Sequence, residues 1–257
     1  MINKFPIYLV SLEQDVQRRE GLKKRFPKYY DDFIHLPAVD GRKLSAKEYY
    51  DQSVGYFLRN NTILSPGELG ASLSHINVLK TFLKSDCNYA LIIEDDIIGC
   101  DSDIDIAMQA ISTLRQSDFL LLGGQQGLNK RLQLGKKDTS NGLMRVSGFS
   151  KKFVTRACCY VVSRATAQHI LDCQNKQFNL ADRWGVFFKN TDVNFYFKDV
   201  LEHPLDLKNS HIEAERRILN KTFIRKLFSI EGPGKVYNKI YFNIMAIVLK
   251  VIGFKEL

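Results

Sequence analysis

The chain has one tryptophan, six prolines and five cysteines in 257 residues, and no two of the cysteines (Cys87, Cys100, Cys158, Cys159 and Cys173) form a C-x-x-C pair. An odd set without paired spacing supports neither a disulfide framework nor a zinc site, and it fits reduced, mostly buried thiols in a cytosolic protein. Long apolar runs are missing as well. The opening MINKFPIYLVSLEQD holds a short one that reads as a strand, without an h-region or a small-residue cleavage site, which argues against export by a cleaved signal. No Gly/Pro/Ser-rich block and no repeat breaks the sequence, so a linker or a solenoid is not expected. Acids are scarce at one end: from Arg216 onward nine Lys/Arg face two acids, which leaves +7 of the total +9 there.

The composition is otherwise that of a globular protein, 45% apolar and 25% charged, long enough for one large α/β domain with or without a small appendage. Apolar runs alternate with amphipathic stretches. This βα alternation predicts a mostly parallel sheet covered on both faces. Strands are predicted at 5–12, 33–39, 89–95, 119–124, 142–148 and 155–163. The best-marked helix opens at 65-SPGE-68, where Ser65 caps, Pro66 takes the first helical position, and Glu68 completes an S-x-x-E capping box; it should end near Ser85. Further helices fit 163–174 and 181–189, and 124–141 reads as a mobile loop beside a site.

In 89-YALIIEDDIIG-99 three carboxylates, Glu94, Asp95 and Asp96, follow a buried-looking strand. Strand alternation would turn Glu94 and Asp96 one way and Asp95 the other. Crowded acids raise one another's pKa, and a divalent cation relieves that repulsion while keeping positions open for phosphate oxygens. The carboxyl end of a strand in an open α/β sheet is also where ligands gather. A solvated turn, or acids capping a helix near Asp101, is the bland alternative.

Four blocks in order, 7-IYLVSLEQDVQRRE-20, 37-PAVDGRKL-44, 65-SPGELGASLSH-75 and 91-LIIEDDI-97, resemble glycosyltransferase family 25, the lipopolysaccharide/lipooligosaccharide glycosyltransferases that include bacterial β-1,4-galactosyltransferases and the collagen galactosyltransferases. Looser similarity runs through 155-TRACCYVVSRATAQHIL-171, 182-DRW-184 and 209-NSHIEAERR-217. Many members have Asn where this chain has Ser11. The resemblance implies a GT-A-like fold with a Rossmann-type half, a UDP-sugar donor (UDP-galactose or UDP-glucose), a lipooligosaccharide acceptor, and inversion at the anomeric carbon. Under it, Glu94 and Asp96 hold Mn²⁺ or Mg²⁺ and Asp95 accepts from a ribose or sugar hydroxyl. Ser11 and Leu12 lie under the nucleoside. Arg18 or Arg19 reaches a phosphate or is a solvated helix charge, and Asp40 with Gly41 either contacts base or ribose or forms an Asx turn.

Glu68 is a cap or a ligand. His75, two turns along the same face, enters the site or is a satisfied buried histidine. Asp182 is the candidate general base, with Asp192 as its competitor; Trp184 stacks on a sugar or anchors the core. His203 or His211 supplies a late metal ligand, and Arg216 and Arg217 touch diphosphate or begin the basic tail. The implied division is a catalytic domain over 1–217 and a basic amphipathic segment over 218–257. That segment's apolar positions and lysines suit an anionic membrane surface on the cytoplasmic side, or else a helix packed on the core. A metal-dependent phosphohydrolase or nucleotidyltransferase is the rival use of the carboxylates. A nucleic-acid partner is not expected, because the basicity is confined to that tail.

Overall fold

The computed structural model describes residues 5–205, Glu215 and residues 233–257. Its elements run β1 (Ile7–Ser11), α1 (Val16–Arg25), β2 (Phe33–Pro37), α2 (Ala46–Asn60), α3 (Pro66–Lys84), β3 (Tyr89–Glu94), α4 (Asp101–Ile111), β4 (Asp118–Gly123), β5 (Leu134–Lys137), β6 (Met144–Val146), β7 (Cys159–Ser163), α5 (Arg164–Lys176), α6 (Trp184–Phe187), β8 (Asn194–Leu201), α7 (Pro233–Val251) and β9 (Lys255–Glu256). The strands form one sheet in the order β2-β1-β3-β7-β4-β8-β6-β5-β9. Pairs β1/β2, β1/β3 and β4/β8 are parallel and the others antiparallel, so β1, β2, β3, β4, β5 and β8 share one direction while β6, β7 and β9 run against them. The fold is α/β and GT-A-like.

Both faces of the sheet are covered. Along β1, Ile7 and Leu9 enter one apolar cluster with Leu22, Phe26 and Ile104 of α1 and α4. Tyr8 and Val10 enter the other with Val78, Phe82 and Ile170 of α3 and α5. Period-two alternation between two buried faces is what makes the central strands read as continuous apolar runs. Trp184 is 1% exposed, with its ring 4.6 Å from Phe119 and 5.3 Å from Tyr160. It anchors the core, and the sugar-stacking alternative falls away.

Ser65 and Glu68 form the capping box at the start of α3, and α2 carries a second one through Ser45 and Glu48. Such caps satisfy helix-end N–H groups that have no partner within the helix. The stretch expected to be loop from 124 to 141 contains β5, held by a fully buried Leu134 and by pairing with β6.

The carboxyl end is built into the sheet, because β9 pairs with β5 and the Leu257 N–H donates to Gln133 O. Helix α7 docks through Ala246, which is buried, and through Phe242, whose ring lies 5.2 Å from Phe153 under the Lys152 ammonium. The opposite side leaves Ile240, Ile244, Ile247, Val248 and Val251 exposed. Among the described residues, no helix is long and apolar enough to cross a membrane.

Candidate functional site

The motif 67-GELGASLSH-75 is accounted for nearly atom by atom. A Cβ on Gly70 would sit 2.4 Å from Val39 O, and one on Gly41 would sit 1.8 Å from Pro66 O. The loop after β2 and the first turns of α3 therefore meet backbone to backbone, which only glycine permits. Ser74 Oγ accepts from the Val39 N–H at 2.8 Å and Ser72 Oγ accepts from the Ala181 N–H at 3.2 Å, so α3 pins the segments on both sides of it. Glu68 Oε2 accepts from the Ser65 N–H. Its carboxylate serves the cap, the first of its two expected roles, and it lies outside the cleft lining.

The cleft, of about 130 Å³, opens at the carboxyl ends of β1 and β3. Its lining includes Ser11, Leu12, Arg18, Asp40, Gly41, His75, Glu94, Asp95 and Asp96. A larger cavity of about 1040 Å³ lies at the other end of β1, lined mainly by apolar groups such as Phe5, Ile7, Ile34 and Met108. It is far from the carboxylate cluster, and chemistry is placed at the smaller cleft for that reason.

The three carboxylates part company. Strand β3 stops at Glu94, and Asp95 and Asp96 occupy the turn that follows. Glu94 Oε1 lies 2.9 Å from His75 Nε2, and His75 Nδ1 lies 2.8 Å from the Tyr160 hydroxyl. Burial pushes Glu94 upward, but the His75 bond foremost, with the Arg18 charge, outweighs it and holds the carboxyl below its ordinary value.

Asp95 accepts from Ser11 Oγ at 2.6 Å and from Arg18 Nη1 at 2.9 Å. Burial still pushes its pKa up. Asp96 is pushed up to about 7, first by burial and then by the charges of Glu94 and Asp95, with Arg18 opposing. Its Oδ1 is buried and has no hydrogen-bond partner, and its Oδ2 lies 3.6 Å from His203 Nε2. Burial and the Arg156 charge lower the His203 pKa, which favours the neutral imidazole. Among the described residues, no three His, Cys, Asp or Glu side chains converge into a metal cage. His211, Arg216 and Arg217 lie outside the described residues.

The two arginines of α1 are already engaged. Arg18 bridges Asp95, and Arg19 ties Ser11 Oγ and the carbonyls of Leu12 and Glu13 into the loop after β1. Arg19 is thus a clamp on that loop and does not line the cleft. Asp40 accepts from the Arg42 N–H and side chain and from Gln14, and those bonds, Arg42 foremost, hold it down at about 2. The Asx turn and the cleft position hold together.

Asp182 also lies outside the cleft lining; its Oδ2 accepts from the Arg156 N–H at 3.0 Å. Asp192 precedes β8, at the end of the sheet away from the carboxylates, and drops out as a competing base. Two residues at the site escaped sequence reasoning. Tyr160 looks like one more apolar strand residue, and Arg156 shows its position only once β7 is seen to run antiparallel beside β3.

The sequence comparisons point the same way. The family model "Glycosyltransferase family 25 (LPS biosynthesis protein)" matches residues 4–183. A "Glycosyltransferase 25 family member" of Anopheles gambiae is 33% identical over 96 residues, 35% of this chain and 16% of that protein. One of Drosophila melanogaster is 29% identical over the same length, with the same shares of each chain. The shared stretch is thus about a sixth of the length of these curated relatives. With the family model covering most of the chain, and a GT-A-like sheet whose carboxylate-bearing strand ends in the cleft, the chain belongs to glycosyltransferase family 25.

Proposed function

We propose that the protein transfers a hexose, galactose or glucose, from a UDP-sugar to a lipooligosaccharide or lipopolysaccharide core acceptor, with inversion and with Mn²⁺ or Mg²⁺ bound. The observation that carries this reading is Asp96: a carboxyl raised to about 7, with a buried, unpartnered Oδ1, in the cleft that Ser11, Asp40 and Gly41 also line. Such an oxygen fits a hard cation. His203 would be its companion ligand, whereas Glu94, first expected in that role, is engaged with His75. Cations of this kind are commonly held by one or two protein groups plus substrate phosphates, so a full protein cage is not required. When bound, the cation supplies Lewis-acid neutralisation of the departing diphosphate.

The chain's own groups do the rest. Asp95, fixed between Ser11 and Arg18, keeps the loop after β1 against the turn after β3 and so shapes the nucleoside side of the cleft. Asp182 takes the proton of the acceptor hydroxyl. The Arg156 amide orients one of its oxygens and leaves the other for that proton. The exposed stripe of α7, flanked by Lys239, Lys250 and Lys255, lies on the anionic inner face of the cytoplasmic membrane, where a lipid-linked acceptor is assembled. The phosphohydrolase alternative has lost its support, because family membership accounts for the same residues.

Incubation with UDP-galactose or UDP-glucose, Mn²⁺ and a deacylated lipooligosaccharide core should release UDP only when acceptor is present. Release independent of acceptor, or none with either donor, would refute the reading.

A further inference from the structure

Arg156 stands in a backbone conformation that its side chain disfavours. Its φ is +64°, in the left-handed region that glycine occupies more readily, and such strain persists where the surroundings or the function require that residue. The backbone there has a task of its own, since its N–H holds Asp182 and its carbonyl accepts from Trp184 Nε1. A glycine would do the same without strain, so the side chain is what needs explaining.

Nη1 of Arg156 donates to Gly124 O at 2.6 Å and to Gln126 O at 2.8 Å. That uses two of five guanidinium hydrogens. Among the described residues the Nε and Nη2 donors have no partner, and they are not among the buried unpartnered atoms, so solvent reaches them. Among the described residues, no carboxylate lies within ion-pair distance of Arg156, although Asp96, Asp182 and Glu94 are close enough to act on its charge. Arg18 and Arg42, by contrast, are each paired with an aspartate. Strand order fixes the arrangement: Arg18 follows β1, Arg156 precedes β7, and β3 with its carboxylates runs between them.

We propose that Arg156 binds the diphosphate of the donor from the β7 side of the cleft, its free Nε and Nη2 hydrogens forming the fork that a phosphate accepts. This rests on reading the cleft as a sugar-nucleotide site. As the bond between the anomeric carbon and the β-phosphate oxygen breaks, its electron pair leaves with that oxygen. The acceptor oxygen forms the new bond to carbon and gives its proton to Asp182. Arg156 holds the charge that accumulates on the diphosphate.

The test is calorimetric titration of the full chain and of Arg156→Gly and Arg156→Lys with two probes, UDP and UMP. Glycine suits the φ and keeps the N–H to Asp182. We expect Arg156→Gly to weaken UDP about 10- to 100-fold, the range for losing charge-assisted hydrogen bonds, while UMP changes by less than about threefold. Arg156→Lys should recover part of the UDP affinity. Equal weakening of both probes, or of neither, would overturn the assignment and leave Arg156 a clamp for the 124–126 loop. A wild-type chain that binds neither probe would remove the sugar-nucleotide reading, and the assignment with it.

Discussion

His75 joins the cleft to the core: its Nε2 lies 2.9 Å from Glu94 Oε1 on one side, and its Nδ1 lies 2.8 Å from the buried Tyr160 hydroxyl on the other. The histidine fixes which way Glu94 faces and thereby leaves Asp96 as the carboxylate with an open oxygen. His75→Ala leaves two polar groups without partners. A loss of about 2 kcal/mol follows for such a deletion, which at this chain length is about 5 °C in Tm. Thermal melts of the variant check it, and an unchanged Tm would mean the chain of contacts contributes nothing.

Asp96 makes stability depend on pH. Its folded-state pKa of about 7 stands above the ordinary 3.8, so the folded protein binds the proton more tightly than the unfolded chain. The contribution is fully present below about pH 4 and is lost as pH rises to about 7. Asp96→Asn removes the burden of the buried charge. Its Tm advantage over wild type should be near zero at low pH, grow through that window and level off above it at about 10 °C. Paired melts in metal-free buffer read this directly, and a difference that shrinks with rising pH would contradict the assignment.

Asp182→Asn keeps an oxygen for the Arg156 N–H and so keeps the local fold. As the proposed base, Asp182 should lose about 100- to 10,000-fold in kcat on this change, with UDP affinity unaltered. Retained turnover would remove it from the role.

The outward stripe of α7 can be tested without truncation, which would also strip β9 from β5. Ile244→Glu combined with Ile247→Glu alters two exposed positions. Sedimentation with phosphatidylglycerol vesicles should show wild type bound and the variant weakened about tenfold or more, as expected when apolar area is lost and like charge is placed at the lipid surface. Neutral phosphatidylcholine vesicles should bind neither well. Equal binding of variant and wild type to the anionic vesicles would leave the stripe without a membrane role.

Much of this was legible in the sequence, for physical reasons. Ser65, Pro66 and Glu68 announce a helix start locally, and the runs of β1, β3 and β7 announce strands buried on both faces. The segment of β5, 134-LGKK-137, carries no pattern of its own and becomes a strand through its partners, so it passed for loop. At the site, Ser11, Asp40, Gly41, His75 and Asp96 reach the cleft because their motifs flank strand ends. Arg156 and Tyr160 did not stand out, since their nearness to Glu94 and Asp182 depends on strand pairing across distant segments. Glu68 reads in sequence as a cap or a ligand and is seen in the cap, while Arg19, read as a phosphate contact or a solvated charge, is seen clamping the loop after β1.

The central claim is that the cleft takes a UDP-hexose with Asp96 at its metal side. Calorimetric titration with UDP-galactose, UDP-glucose and a non-uridine sugar nucleotide, with and without Mn²⁺, tests it on wild type and on Asp96→Ala. The account predicts Mn²⁺-dependent binding of one UDP-hexose to wild type and its loss in the variant. Absence of binding under every condition, or binding that Asp96→Ala leaves untouched, would contradict it.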